Sequence, residues 1–252
     1  MLQDLPVHML WVSGGLSQLA RLCLASFLAQ GYRVTLWTYE PRQLTAPGAE
    51  LRDANEILPM IPEIAGNMAY LSSLFRYRLM AELGGIWSDM DVVALTSEPG
   101  IAVEPFIASE KRRPFRHTEP TATGESLTQV TNCVMANPAP RVGDLWHRAA
   151  SHVAGLSASD RTWENVGPHL LSRLMLDHPG HGVTILPPDA VDPVAWWNVP
   201  GHFLDARQPP ATPFMHMYAS IWARRGVDAE APFPEQSLAG ILSVRFGLSC
   251  GR

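Results

Sequence analysis

Val7 to Val12 is a nearly unbroken apolar run that enters Ser13-Gly14-Gly15. It predicts a buried strand ending in a turn where backbone comes close to a ligand. Leu16 to Gln30 then places Leu19, Leu22, Cys23, Phe27 and Leu28 at helical spacing, with Gly31 as the stop, and Arg33 to Thr38 reads as a second strand. Strand, helix, strand in that order opens an α/β sheet. Residues 41–66 are rich in Pro and Ala with little periodicity, and predict a loop bearing one short helix. From Asn67 the helical spacing resumes, with Leu71, Leu74, Phe75 and Leu79 on one stripe and Ala69, Ser73 and Arg76 on the neighbouring face. That helix breaks at Gly84-Gly85, and a short strand delivers two aspartates, Asp89 and Asp91.

Beyond them Val92 to Leu95 continues as a strand, and Ala102 to Ser109 predicts another. Glu110 to Gly124 is charged and bears Pro, the composition of a lid or acceptor-facing loop. Leu127 to Met135 is rich in β-formers; helices follow from about Arg141 to Val153 and from Gly167-Pro168 to Leu176. Val183 to Leu186 makes a small strand, Trp196-Trp197, Phe203 and Pro213 to Tyr218 an aromatic-rich stretch, and Gln236 to Phe246 a closing helix. His178 and His181 bracket a Pro-Gly turn. With no repeat or interdomain linker in view, the expectation is one domain over 1–252.

Composition narrows the classes. With 46% hydrophobic and 17% charged residues the chain has the make-up of a globular protein with a sizeable core. A net charge of -5, with basic residues clustered only in pieces such as Lys111-Arg112-Arg113, argues against nucleic acid as a partner. The three cysteines, Cys23, Cys133 and Cys250, lack any CxxC spacing, so neither a disulfide framework nor a zinc knot is expected. MLQDLPVHMLWV carries Asp4 and Pro6 where a secretory signal needs a basic, unbroken apolar start, and no apolar run is long enough to cross a bilayer. A cytoplasmic protein is expected, with attachment to a membrane surface left open.

The chemistry-bearing feature is the acidic pair. Carboxylates at i and i+2 point to one face of an extended strand, and at a strand end they can converge on one cation or phosphate. A divalent metal there neutralises diphosphate charge and makes a nucleoside diphosphate a better leaving group. No GxGxxG or GxxxxGK[ST] is present, so dinucleotide and P-loop readings fall. Taken alone, Trp11 also suits a core position, Arg76 a salt-bridged helix face and His216 an ordinary loop histidine.

Ala69-x-x-Ser72-Ser73-x-x-Arg76-Tyr77 followed by Leu83-Gly84-Gly85-Ile86-Trp87-Ser88-Asp89-Met90-Asp91 resembles the DXD sugar-nucleotide motif of GT-A glycosyltransferases. The similar group includes yeast-type initiating mannosyltransferases, α-1,4-galactosyltransferases and bacterial capsular sugar transferases. Val7 to Gly15 is similar to that group's first strand, Asn132 to Pro140 to a later strand and turn, and Pro213-Phe214-Met215-His216 with Ser220 and Trp222 to its C-terminal loop. The resemblance implies an α/β fold, a GT-A-like nucleotide-binding mixed sheet flanked by helices. It implies a divalent metal, Mn²⁺ or Mg²⁺, held by Asp91 and His216 with Asp89 on the metal or its water. It assigns the donor, a UDP- or GDP-sugar, to Trp11, Gly14, Ser73, Arg76, Asp89, Asn132, Ser220 and Trp222, and gives catalysis to Arg76, Asp89 and Asp91. Where the family carries Asp, this chain has Ser73.

The function so implied is metal-dependent, retaining transfer of a sugar to a carbohydrate or other hydroxyl acceptor. Two alternatives stand beside it. Asp89-Met90-Asp91-Val92-Val93 also fits the DxDx[TV] pattern of haloacid-dehalogenase-like phosphatases, in which the first Asp is the nucleophile. Ser73 also suits a non-catalytic protein that binds nucleotide sugars or glycans.

Overall fold

The computed structural model describes residues 1–111 and 129–251. In chain order the elements are β1 (Val7–Leu10), α1 (Gln18–Ala29), β2 (Val34–Thr38), β3 (Glu50–Asp53), α2 (Pro62–Ala65), α3 (Met68–Glu82), β4 (Gly85–Ser88), β5 (Val92–Ala94), β6 (Phe106–Ser109) and β7 (Val130–Asn137). Then come α4 (Leu145–Ala154), α5 (Trp163–Val166), α6 (Pro168–Asp177), β8 (Thr184–Leu186), α7 (Pro188–Val191), α8 (Gly201–Leu204), β9 (Phe214–His216), α9 (Ala219–Arg224) and α10 (Leu238–Arg245).

Seven strands form one sheet in the order β3-β2-β1-β4-β7-β6-β8. β7 pairs antiparallel with both its neighbours while every other pairing is parallel, so the sheet is mixed. Side chains alternate along the strands: Val7, Met9, Val34 and Leu36 pack with α1 on one face, while Trp37, Trp87 and Met135 join α3, α4 and α6 on the other. Helices thus cover both faces, as expected. A third cluster, built on Phe203, Met215, Trp222 and Leu238, packs against Leu19 and Leu22 of α1.

One expectation needs correction. Residues 41–66 hold a strand as well as helix: β3 pairs parallel with β2 at the sheet edge. Glu-Leu-Arg-Asp gives it no β-former signature, and it is held by one neighbour and by Arg52 lying over Trp37 at 4.7 Å. β5, expected as a strand, pairs with β9 in a separate two-stranded sheet. The turn at 89–91 carries the chain away, and the β5 edge is further tied by Ala94 N–H donating to Ser26 Oγ of α1 at 2.9 Å. The expected lid over 110–124 lies, from 112 onward, outside the described residues, as do Arg112 and Arg113. Lys111 is described and pairs with Asp189 at 2.8 Å. Among the described residues no helix is long and apolar enough to cross a membrane.

Candidate active site

Leaving the centre of the sheet, the chain first fills β1, moves outward through β2 and β3, then returns to place β4 on the other side of β1. In an open α/β sheet that reversal opens a crevice beyond the carboxyl ends of the two central strands. Trp11 to Gly15 leaves β1 there, and Asp89 to Asp91 leaves β4. Gly84 and Gly85 make the entry to β4 possible. Both have positive φ, +69° and +82°, and a Cβ would meet the Asn137 carbonyl at 2.3 Å in the first case and the Pro6 carbonyl at 2.7 Å in the second.

The two aspartates sit in a turn rather than on an extended strand, and they have different partners. Asp89 is held by α3 and by its own strand: Arg76 Nη2 lies 3.0 Å from Oδ1, and Trp87 Nε1 donates to the same oxygen at 2.8 Å. Arg76 is itself buried, with Nη1 donating to the Asn132 carbonyl at 2.8 Å and its guanidinium 5.1 Å from the Trp87 ring centre. Burial raises the Asp89 carboxyl above its ordinary value, with Arg76 opposing and Asp91 reinforcing the shift. Asp91 turns the other way. The Ala219 N–H donates to its Oδ2 at 2.8 Å, and its carbonyl accepts from Met217 N–H at 2.7 Å. His216 Nε2 stands 3.4 Å from Oδ1 without hydrogen-bond geometry, and Oδ1 is left buried without a hydrogen-bond partner. Burial would raise Asp91, but His216 and the Ala219 N–H hold it below its ordinary value.

His216 comes from β9, whose register sets it opposite Val92. Its Nδ1 bonds Asp192 Oδ1 at 3.0 Å. Burial works against the charged imidazole, yet Cys133, Asp91 and Asp192 together raise His216 well above its ordinary value. Cys133 is itself pushed up to about 11 by burial, so at neutral pH it is a thiol and the two carboxylates carry the effect.

The fit to a divalent cation is therefore partial. Two atoms sharing one small divalent ion with bonds of about 2.1 Å stand roughly 3.0–3.4 Å apart. The orphaned Asp91 Oδ1 and His216 Nε2 meet that spacing. Asp89, expected beside them on the metal, is engaged by Arg76 and Trp87 instead.

The remaining expected donor residues divide. Trp11 is half-buried with its indole N–H donating to the Gly14 carbonyl at 3.1 Å, and Gly14 N–H donates to Glu40 Oε2 at 2.9 Å, so these two share one rim of the crevice with Glu40. Ser73 is buried on α3, one turn ahead of Arg76. Asn132 offers its backbone carbonyl to Arg76, while its amide donates to Tyr77 Oη at 3.2 Å. Ser220 is exposed in the first turn of α9, directly after the Ala219 that caps Asp91. Trp222 is a correction: it is fully buried, stacks on Phe203 and donates its indole N–H to the Met217 carbonyl at 2.7 Å, so it supports the loop from beneath. Sequence reasoning missed Glu40, Trp87, Cys133 and Asp192. Only Trp87 carried a signal, since it stands two residues before Asp89.

No family model matches this chain, and no curated protein matches it. Sixty-three chains of solved structures do. One is described as PaToxG glycosyltransferase, with 12% identity, a TM-score of 0.49 and coverage of 69% of this chain and 70% of that one. A glycosyltransferase involved in glycosylation of the major capsid of PBCV-1 has 12% identity, a TM-score of 0.48 and coverage of 87% and 98%. The galactosyltransferase LgtC, solved with donor and acceptor sugar analogs, has 11% identity, a TM-score of 0.46 and coverage of 84% and 87%. All three are glycosyltransferases.

Proposed function

We propose that this chain is a metal-dependent glycosyltransferase of GT-A type, moving a sugar from a UDP- or GDP-sugar to an acceptor hydroxyl, a carbohydrate among the candidates, with retention of configuration. The observation that carries the reading is Asp91 Oδ1, buried, unpartnered and 3.4 Å from His216 Nε2 at the carboxyl end of the central strands. A Mn²⁺ or Mg²⁺ ion held there would neutralise the charge of a departing diphosphate. Arg76 adds a fixed positive charge on the other side of the same turn, already desolvated and oriented. Trp11 and Gly14, on the rim shared with Glu40, would receive the nucleoside. Ser220, exposed beside Asp91, would meet the phosphates.

A calorimetric titration with UDP and GDP, with and without Mn²⁺, tests this. The expected result is one-to-one binding that requires Mn²⁺ and is lost in Asp91→Ala. Equal binding by that variant would sink the reading. The phosphatase alternative needs Asp89 free to attack phosphorus, and the Arg76 and Trp87 contacts to its carboxylate disfavour it. The binding-protein alternative rests on Ser73, and donor binding with neither transfer nor slow donor hydrolysis would favour it.

A further inference from the structure

His216 shows its two nitrogens to two different acids: Nε2 faces Asp91, and Nδ1 faces Asp192. On the Asp192 side lies a second group of ligand-bearing side chains. One ligand atom from each of Cys133, Asp192 and His216 lies within 4.8 Å of the other two. Cys133 is 1% exposed and Asp192 0%, and Asp192 Oδ2 has no hydrogen-bond partner. The Tyr218 hydroxyl is likewise buried and unpartnered, with its ring centroid 3.9 Å from that of His216. A carboxylate oxygen sealed from water and left unpaired is costly, and a cation removes the cost.

We propose that Cys133, Asp192 and His216 form a second cation site for a thiophilic divalent ion of the zinc class, and that an ion there denies His216 to a metal at Asp91. Three features support the class of ion. A thiolate, an imidazole and a carboxylate are the zinc donor set, whereas Mg²⁺ and Mn²⁺ prefer oxygen. The 3.0 Å between His216 Nδ1 and Asp192 Oδ1 is near the roughly 3.3 Å that separates two ligands on a tetrahedral zinc. One thiolate and one carboxylate offset the two charges of the ion, so the filled site is neutral, as its burial requires. Thr131 Oγ1 donates to Cys133 Sγ at 3.3 Å and would support the thiolate from outside.

The consequence for Asp91 follows from imidazole chemistry. On binding, Cys133 releases its thiol proton and His216 its Nδ1 proton to solvent, and the ring, bound through Nδ1, keeps the proton on Nε2. Nε2 then faces Asp91 Oδ1 as a donor and has no lone pair for a metal. The competition between ions rests on the manganese site of the proposed transferase; binding of the thiophilic ion does not.

Chelator-stripped protein titrated with Co²⁺, as a spectroscopic stand-in for zinc, tests the site. Expected are one equivalent bound and a thiolate-to-cobalt charge-transfer band, present in Cys250→Ser, absent in Cys133→Ser and shifted at least tenfold to higher Co²⁺ in Asp192→Asn. Zn²⁺ should then displace Mn²⁺ from the wild-type chain, followed by the manganese paramagnetic resonance signal, and fail to do so in Cys133→Ser. No charge-transfer band in the wild type overturns the site, whatever the variants do. A band with undisturbed Mn²⁺ binding overturns the competition, and a band in a protein that never binds Mn²⁺ strikes the transferase reading while leaving this site standing.

Discussion

Arg76 grips Asp89 at both oxygens, with Nη2 3.0 Å from Oδ1 and Nη1 3.4 Å from Oδ2. A carboxylate so engaged is a poor candidate for direct metal ligation, while Asp91 keeps an oxygen free. The two aspartates should therefore separate in a binding experiment. Asp91→Asn is expected to weaken Mn²⁺ at least tenfold, while Asp89→Asn changes it less than threefold. Mn²⁺ affinities from paramagnetic resonance check this, and equal losses would return Asp89 to the metal.

Gly84 predicts a fold effect rather than a site effect. In Gly84→Ala the new methyl meets the Asn137 carbonyl at 2.3 Å in a backbone with φ of +69°. The conformation alone costs about 1–3 kcal/mol and the clash adds to it. A loss of at least about 3 kcal/mol in urea unfolding is expected. A loss below about 1 kcal/mol would mean that the turn relaxes.

His8 makes stability depend on pH. Trp37 Nε1 donates to its Nδ1 at 3.2 Å, and burial, helped by Arg52, holds its pKa down to about 4. As pH falls, the unfolded chain takes up this proton near 6.5, well before the folded one does. The stability His8 contributes is thus complete above 6.5 and is lost as pH falls toward 4. Between pH 7 and 5 the wild type should lose roughly 2 kcal/mol more than His8→Gln, measured by urea unfolding at each pH. Parallel curves would remove His8 from the account.

Trp222 separates support from contact. Trp222→Phe is expected to cost on the order of 2 kcal/mol in stability, because it vacates space beside Phe203 and frees the Met217 carbonyl. Nucleoside diphosphate affinity should stay within twofold in the folded variant. A tenfold weakening would put the indole at the ligand.

The sequence carried the framework where local rules suffice. The helix around Leu71, Leu74 and Phe75 is capped by Asn67 Oδ1 accepting from Tyr70 N–H at 3.0 Å, and it ends at the glycines that its pattern marked. Arg76 and Asp89 were legible as site residues through the motif that spans both, although their pairing with each other was not. Asp192 was not, since nothing in Ala190-Val191-Asp192-Pro193 says that its carboxylate will be sealed against a histidine 24 positions later. β3 was hidden for a related reason: an edge strand needs one partner and little β propensity. The indole of Trp222 was assigned to the ligand by the resemblance alone, although helical geometry turns it inward.

The turn at 89–91 joins two sheets. Asp89 N–H donates to the Cys133 carbonyl of the large sheet at 2.8 Å, while Asp91 accepts from Met217 and Ala219, at the end of β9 and the start of α9. A ligand that pulls on both aspartates thus acts as a rivet between the two sheets, at a turn where Met90 alone separates the residues it holds. Tightness of that rivet would register far from the phosphates, as slower amide exchange along β5 and β9.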